Sequence, residues 1–298
     1  MSKKLRDTAR RYSLHWLSHL LGVPAARILQ LAKTADTSYF PFTQRRRGKK
    51  GREIEKPSDE LMELQRVIRE LLLSPMPLSD IVHGCVKNRS AQTNAARHLA
   101  QPSVASVDIR RCYPSITNRR VFRFFYDQLH LGENLAGALT QLTTWRGHLP
   151  TGAPTSDALA NRILSPVDSE VVKIAERLQL HATRYLDNID LSGCGSSTAI
   201  EPTIRAIQKL GLAVSRRNVF NAGATKARRV TGLNVDRKHP TLNRADRNNV
   251  RAACHELILA FQRGDSIEKP LKQLRGRIAH VKKTNPQEAQ RFRKRLAA

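Results

Sequence analysis

Two aspartates sit where the chain can present a carboxylate at a strand end: Asp108 in SVDIRRCYPSI and Asp187 in RYLDNIDLSG. Brought within a few ångströms, two carboxylates repel, and a cation between them relieves the repulsion. Magnesium suits such a pair, because it binds through one or two carboxylates and keeps its other positions for water and phosphate oxygens. A pair of such ions activates an attacking hydroxyl and stabilises a leaving pyrophosphate, which is the chemistry of nucleotidyl transfer. Asn188 follows Asp187 where a second carboxylate would add charge, and it can offer a metal only a neutral carbonyl oxygen. Asp-Asn is also a good turn dipeptide, so these residues by themselves leave a purely structural turn open. Asp190 lies two residues further along, ~6–7 Å down a strand, and is not expected to stand in for Asn188.

A sheet has to hold both stretches. VASVDIRRCYPSI reads as a short strand ended by Pro114, and RYLDNIDLSG as a strand, a tight turn and a second strand. Residues 5–33 are helical in period, with a break at GVP. YFPFTQRRRGKKGREIEKP reads as two extended pieces around a basic turn, a candidate grip on phosphates. SDELMELQRVIRELLLS is an amphipathic helix with Ser58 as its N-cap. Residues 121–145 are helical in period, HLPTGAPTS is a loop, and DALANRILSPVDSEVVKIAERLQL is one long helix with an irregularity near Pro166. IEPTIRAIQKLG is a helix ended by Gly211, RRVTGLNV is a strand, and from about Arg244 the chain is helical and basic. Strands from distant segments, separated by helices, make this an α/β (α+β) chain whose sheet is backed by helices.

Composition narrows the partners. With 298 residues and 40% hydrophobic content the chain can bury a substantial core. Its 52 Lys+Arg against 25 Asp+Glu leave a net charge of +27, an excess that repels itself and is suited to a polyanion such as nucleic acid. Four cysteines with no paired spacing argue against a zinc knuckle or a disulfide framework and fit a reducing cytoplasm. The basic start has no apolar stretch behind it, so no secretory signal is expected. No apolar run is long enough to span a bilayer.

Taken together, these motifs resemble the retron-type reverse transcriptases, bacterial enzymes that make a branched RNA–DNA molecule. SVDIRRCYPSI resembles the first palm motif of that family, LPTGAPTSDALAN its Leu-Pro-Gln-Gly-Ala-Pro-Thr-Ser loop, and RYLDNIDLSG its Tyr-any-Asp-Asp hairpin. GREIEKP is similar to the fingers hairpin and GCVKNRSAQTNAARH to the template-gripping segment. Asn94-Ala95-Ala96-Arg97-His98 and Val230-Thr231-Gly232 match two boxes that narrow the resemblance to retrons, and LRGRIAHVKKTNPQEAQRF resembles the end of the thumb. The resemblance runs in the expected order over nearly the whole chain.

It implies a right-hand polymerase fold: N-terminal helices and fingers over residues 1–102, a palm over 103–235 with a helical insertion near 117–148, and a basic helical thumb over 236–298. It implies RNA-templated DNA synthesis with two magnesium ions, deoxynucleoside triphosphates as substrates, and priming from a 2′-hydroxyl of a cognate noncoding RNA (msr-msd) to give msDNA that stays bound. An antiphage role in the cytoplasm follows, with a separate effector protein and no membrane. By the same resemblance the catalytic residues are Asp108, Asp187 and Asn188, and the metal ligands Asp108, Ile109 and Asp187. Arg45, Arg52, Tyr113, Thr151 and Gly152 would bind the nucleotide, Tyr113 as the steric gate against ribose. Asn94, His98, Val230, Thr231, Gly232, Lys269, Lys272, Arg275, Arg277, Lys282 and Lys283 would bind RNA. Asn94 and His98 lie one helical turn apart, a spacing equally suited to a satisfied pair in the core.

Three departures stand out. Thr151 replaces the glutamine of the nucleotide loop, Arg217 is the nearest cation to a missing lysine, and Asn188 replaces the second aspartate of the hairpin. The last removes a negative charge, so weak or absent synthesis is expected, with an aspartate at this position expected to raise it. The intact remaining motifs favour an enzyme disarmed at Asn188 over a decayed one. The rival readings are a non-catalytic RNA- or msDNA-binding scaffold and another bacterial, group II intron-like reverse transcriptase.

Overall fold

The computed structural model describes residues 13–46, 49–223 and 226–297. The helical pattern over residues 5–12 and the tip of the basic turn, Arg47 and Gly48, lie outside the described residues. In chain order the elements that position the site are α1 (Leu14–Leu21), α2 (Ala25–Lys33), β1 (Tyr39–Arg46), β2 (Lys49–Pro57), α3 (Asp59–Ile68), α4 (Ala91–Ala96), β3 (Val104–Asp108), α5 (Cys112–Ser115), α6 (Asn118–Arg123), α7 (Glu133–Thr143), α8 (Ser156–Ile163) and α9 (Ser165–Arg177). There follow β4 (His181–Tyr185), β5 (Asn188–Ser192), α10 (Ile200–Lys209), β6 (Phe220–Ala222), β7 (Arg229–Val230), β8 (Leu233–Asn234), β9 (Thr241–Leu242), α11 (Arg244–Gln262), α12 (Glu268–Thr284) and α13 (Pro286–Ala297). This is a mixed α/β chain in two compact units interleaved along the sequence.

The first unit comprises the described residues up to Val82 with Ile109–Glu170 and Ala206–Ser215. Its β1–β2 hairpin is antiparallel, with a register irregularity between Gln44 and Arg46. Ser58 caps α3 as expected, its side chain accepting from the Leu61 amide. The helical period over residues 121–145 resolves into α6, a π-turn over Phe124–Gln128 and α7.

The second unit comprises His83–Asp108, Val171–Arg205 and the described residues from Arg216 on. Its four-stranded sheet has the order β4-β5-β3-β6, with every neighbouring pair antiparallel. Val104, Ala105, Ser106 and Val107 of β3 are all buried, so both faces of the central strand are covered. Side chains alternate along a strand, and directly opposed residues share a face. Val107 and Ile189 therefore share an apolar face, while Ser106, Asp190 and Thr183 share the other. A second sheet, β7-β8-β9, packs its Val230, Leu233 and Leu242 with Leu274, Ile278 and Phe292 of α12 and α13 into one core cluster.

Two expectations are corrected. RRVTGLNV is a two-residue hairpin of β7 and β8, because Thr231 (φ 48°) and Gly232 (φ 81°) both take left-handed backbone and turn the chain back. The long helix expected to carry an irregularity near Pro166 is interrupted there and forms two helices, α8 and α9. It breaks at Leu164, so that the proline falls in the first turn of α9, where its missing N–H costs nothing.

Candidate active site

The β4–β5 hairpin pairs Tyr185 with Asn188 and leaves Leu186 and Asp187 as a two-residue turn. Leu186 has φ 59°, a conformation that costs an L-residue with a Cβ roughly 1–2 kcal/mol. The neighbouring chain holds it there. The His83 amide donates to the Arg184 carbonyl (2.7 Å) and Arg184 Nη1 donates to the Leu186 carbonyl (2.8 Å), with the Arg184 side chain fully buried. Gly84 lies so close that a Cβ on it would stand 2.4 Å from the Leu186 amide nitrogen. Gly84, Arg184 and Leu186 thus position Asp187, and only the glycine carried any signal in the sequence.

Asp108 is the last residue of β3 and pairs directly with Asn188. It is half-buried, and its pKa is raised above the ordinary aspartate value, first by burial and then by the nearby charge of Asp187; a hydrogen bond from Asn218 opposes this. Two carboxylates that destabilise each other's charge in a partly desolvated site are a natural seat for a cation. Among the described residues no three His, Cys, Asp or Glu side chains come together, so the site offers two carboxylates, a set that suits magnesium and not a tetrahedral zinc. The Ile109 side chain is buried and apolar, leaving only its backbone carbonyl as a donor. Arg217, exposed, precedes Asn218 in a single 3₁₀ turn.

Beneath this pair lies a buried polar layer. Asp190 has no solvent exposure and accepts from Ser106 Oγ, from Asn188 Nδ2 (2.7 Å) and, at a longer 3.5 Å, from Asn94 Nδ2. Burial pushes its pKa up to about 6 in spite of these three donors. His98 is fully buried between Ser192 Oγ and Thr183 Oγ1, each 2.7 Å from a ring nitrogen.

Asn94 and His98 were expected to touch RNA; both are buried in the layer between α4 and the sheet, the position of core residues. Burial, then the positive neighbours His181, His83 and Arg97, lower the His98 pKa to about 3. Replacing His98 by alanine should cost about 2–4 kcal/mol, for the cavity and for two hydroxyls left unpaired.

Because the folded pKa lies below the unfolded 6.5, the stability that neutral His98 contributes is complete above pH 6.5 and is lost as pH falls toward 3. Asp190 acts with the opposite sign between about pH 6 and 4, since its folded form takes up a proton first. Urea unfolding at pH 7 and pH 5 isolates His98: the parent should lose about 2 kcal/mol more over this interval than His98→Ala does.

The remaining candidates divide between the units. In the second, Val230 is buried, Thr231 Oγ1 donates to the Ala91 carbonyl at the start of α4 (2.9 Å), and Gly232 is exposed at the hairpin tip. Lys269, Lys272, Arg275, Arg277, Lys282 and Lys283 are all exposed along α12.

In the first unit, Thr151 is bolted to β2. Its amide donates to Glu55 Oε2 (2.8 Å) and its carbonyl accepts from the Glu55 amide (2.6 Å). Gly152 (φ 124°) packs so closely that a Cβ would meet Ile54 Cγ2 at 2.9 Å. Glu55, which also faces His148 Nε2 at 3.3 Å, is a positioning residue that the motifs did not single out. Arg45 and Arg52 are exposed on that hairpin. Tyr113 is half-buried, with its hydroxyl donating to Asp157 of α8.

No protein-family model matches the chain. The retron Mx65 reverse transcriptase of Myxococcus xanthus is 32% identical over 279 residues, covering 86% of this chain and 64% of the relative. The retron Ec86 reverse transcriptase of Escherichia coli is 28% identical over 83% of this chain and 78% of its own length. The retron Mx162 reverse transcriptase of Myxococcus xanthus is 29% identical over 93% and 64%. The chain thus spans just under two thirds of the length of the Myxococcus relatives. Among solved structures, a foamy viral protease-reverse transcriptase in complex with double-stranded DNA aligns with a TM-score of 0.44 and 15% identity, over 82% of this chain and 36% of that one. No helix among the described residues is long and apolar enough to cross a membrane.

Proposed function

We propose, from the premise that this chain belongs to the retron reverse transcriptase family, that it is an RNA-directed DNA polymerase acting on a structured noncoding RNA. The observation that carries this is the Asp108–Asp187 pair, one carboxylate at the end of β3 and one in the β4–β5 turn, where burial and the charge of Asp187 make Asp108 costlier to ionise. On this reading the right-hand division applies, with fingers over 1–102, palm over 103–235 and thumb over 236–298.

Asp108 and Asp187 would hold divalent ions, with the Ile109 carbonyl beside them. Bound there, magnesium would lower the pKa of the attacking 2′- or 3′-hydroxyl and offset charge on the departing pyrophosphate. The residues of the chain do the rest. Arg52 and Arg45 supply cationic contacts for the triphosphate, Thr151 and Gly152 give a backbone surface held against β2, and Tyr113 limits room at the sugar. The exposed cations of α12 suit the phosphates of an A-form duplex without reading its sequence. Val230-Thr231-Gly232 offers RNA a close approach only at Gly232, and Asn94 and His98 support the sheet from within. A bound msDNA product, a separate effector restrained by the complex, an antiphage role and a cytoplasmic setting complete the reading.

One observation favours the scaffold alternative: Asn188 brings no charge to the pair, and its amide is already engaged by Asp190. Magnesium-dependent extension of the RNA that co-purifies with the chain separates the two, since a scaffold binds that RNA and leaves it unextended.

The same assay tests Tyr113. Tyr113→Ala should raise ribonucleotide relative to deoxynucleotide incorporation by roughly tenfold or more, because discrimination is a ratio of transition-state affinities. Tyr113→Phe keeps the ring and loses only the bond to Asp157, so it should leave the ratio near that of the parent. A ratio unmoved by alanine would make the ring a packing residue.

A further inference from the structure

We infer that Asn188 and Asp190 form a matched pair, in which the buried Asp190 carboxylate holds the Asn188 amide and thereby turns the Asn188 carbonyl oxygen away from itself. Asp190 is a positioning residue on this assignment, and Asn188 is the neutral partner that its carboxylate requires. The inference rests on the reading of Asp108 and Asp187 as the metal pair only for what that carbonyl faces; the pairing itself stands on geometry.

Asn188 and Asp190 are two residues apart on β5 and so lie on one face of the strand. Their side chains meet at 2.7 Å, Nδ2 to Oδ1. The orientation of an asparagine amide is set by its partners, and here the partner is decisive. A carboxylate accepts and does not donate, so the NH₂ must face Asp190 and the carbonyl oxygen must point the other way. Asp190 has no solvent exposure, and Ser106 and Asn94 are its other donors. No water reaches it to screen a second negative charge, and no described cationic side chain bonds to it.

An aspartate at 188 therefore does more than restore a charge. It places a carboxylate against a buried carboxylate, and like charges at such a distance cannot both ionise without large cost. The pair tolerates the exchange only in mirror image. With aspartate at 188 and asparagine at 190, the 190 NH₂ takes the place of Oδ1 and donates to 188 and to Ser106 Oγ, while its carbonyl takes the place of Oδ2 and accepts from Asn94 Nδ2. On this pairing, the gain in synthesis expected of an aspartate at 188 requires Asp190→Asn as well.

The test is a double-mutant cycle in the full chain: Asn188→Asp, Asp190→Asn and both together. Thermal midpoints without divalent ions report the pairing, and Mn²⁺ binding followed by electron paramagnetic resonance reports the site. Asn188→Asp alone should lower the midpoint by roughly 5 °C or more. Asp190→Asn alone should lower it less, because an amide carbonyl still accepts from Asn188 and Ser106. The double variant should recover most of the loss and bind Mn²⁺ about tenfold more tightly than the parent, which corresponds to ~1.4 kcal/mol.

Should Asn188→Asp prove too unstable to purify, a soluble double variant reports the same coupling. Additive losses in the cycle, or an Asn188→Asp single variant as stable as the double, overturn the pairing. Recovery of the midpoint with Mn²⁺ binding unchanged in every variant, Asp108→Ala included, leaves the pairing standing and removes the metal-site reading.

Discussion

Asp108→Ala should abolish DNA synthesis, by roughly a thousandfold or more, while RNA affinity stays within a few-fold of the parent. Removing a ligand from a charge-stabilised phosphoryl-transfer site costs several kcal/mol of barrier, which is lost only when the reaction proceeds. On the proposed reading RNA is held instead by many dispersed cations, six of them exposed along α12 alone, and none of these six bonds to Asp108 among the described residues. The structure adds a sign that the sequence lacked. Because burial and then Asp187 raise the pKa of Asp108, its carboxylate is a liability in the fold without divalent ions. Asp108→Ala should therefore melt no lower than the parent in a chelator, and should lose the stabilisation that magnesium confers on the parent by mass action. The work is best done on the Asn188→Asp/Asp190→Asn background if the parent is silent. A collapse of RNA affinity, or a large fall in the melting point in chelator, would instead make Asp108 a structural residue.

Gly84→Ala is the second change with a large expected effect. The new Cβ would stand 2.4 Å from the Leu186 amide nitrogen and 2.9 Å from Leu186 Cγ. The nearer atom is backbone and cannot swing aside as a side-chain tip could, so the hairpin turn itself must move. Overpacking of this kind costs about 1–3 kcal/mol. The functional loss should be larger than the stability loss suggests, because the displaced turn carries Asp187: a misplacement of ~1 Å at a reacting centre costs on the order of a hundredfold in rate. Urea unfolding gives the first quantity and single-turnover extension the second. Loss of stability with full activity would show that the 83–84 segment braces the hairpin without positioning the carboxylate. Ala96→Gly, at an exposed position of α4, controls for a general loosening of the unit.

Much of the site could be read from residue order. The run of strand formers before Asp108, and the two runs flanking Leu186-Asp187, predict strand ends and a hairpin, and β3, β4 and β5 lie there. Ser58 before a helical period predicts a cap, and Ser58 caps α3. These features depend on neighbours a few residues apart, where backbone sterics and side-chain periodicity decide the outcome locally.

The rest depended on what covers each face. Asn94 in α4 and His98 in the turn just after it lie on one side by their spacing, and that spacing is the same whether the side meets solvent, RNA or a sheet. Packing against Thr183, Asp190 and Ser192 placed it in the core. RRVTGLNV has strand formers on both sides of Thr231-Gly232, and the left-handed backbone at these two residues, with Thr231 tied to Ala91 140 residues away in sequence, makes it a hairpin.

Asp190 shows the limit most clearly. Sequence alone determined that it shares a strand face with Asn188 at a spacing of ~6–7 Å between backbone positions, too far down the strand to stand in for Asn188. Tertiary structure decided what it does instead. With α4 closing over that face, water is excluded and an unpaired carboxylate is costly, so the two side chains reach across the gap and meet. Residue order specifies which groups can meet, and burial determines which of them must.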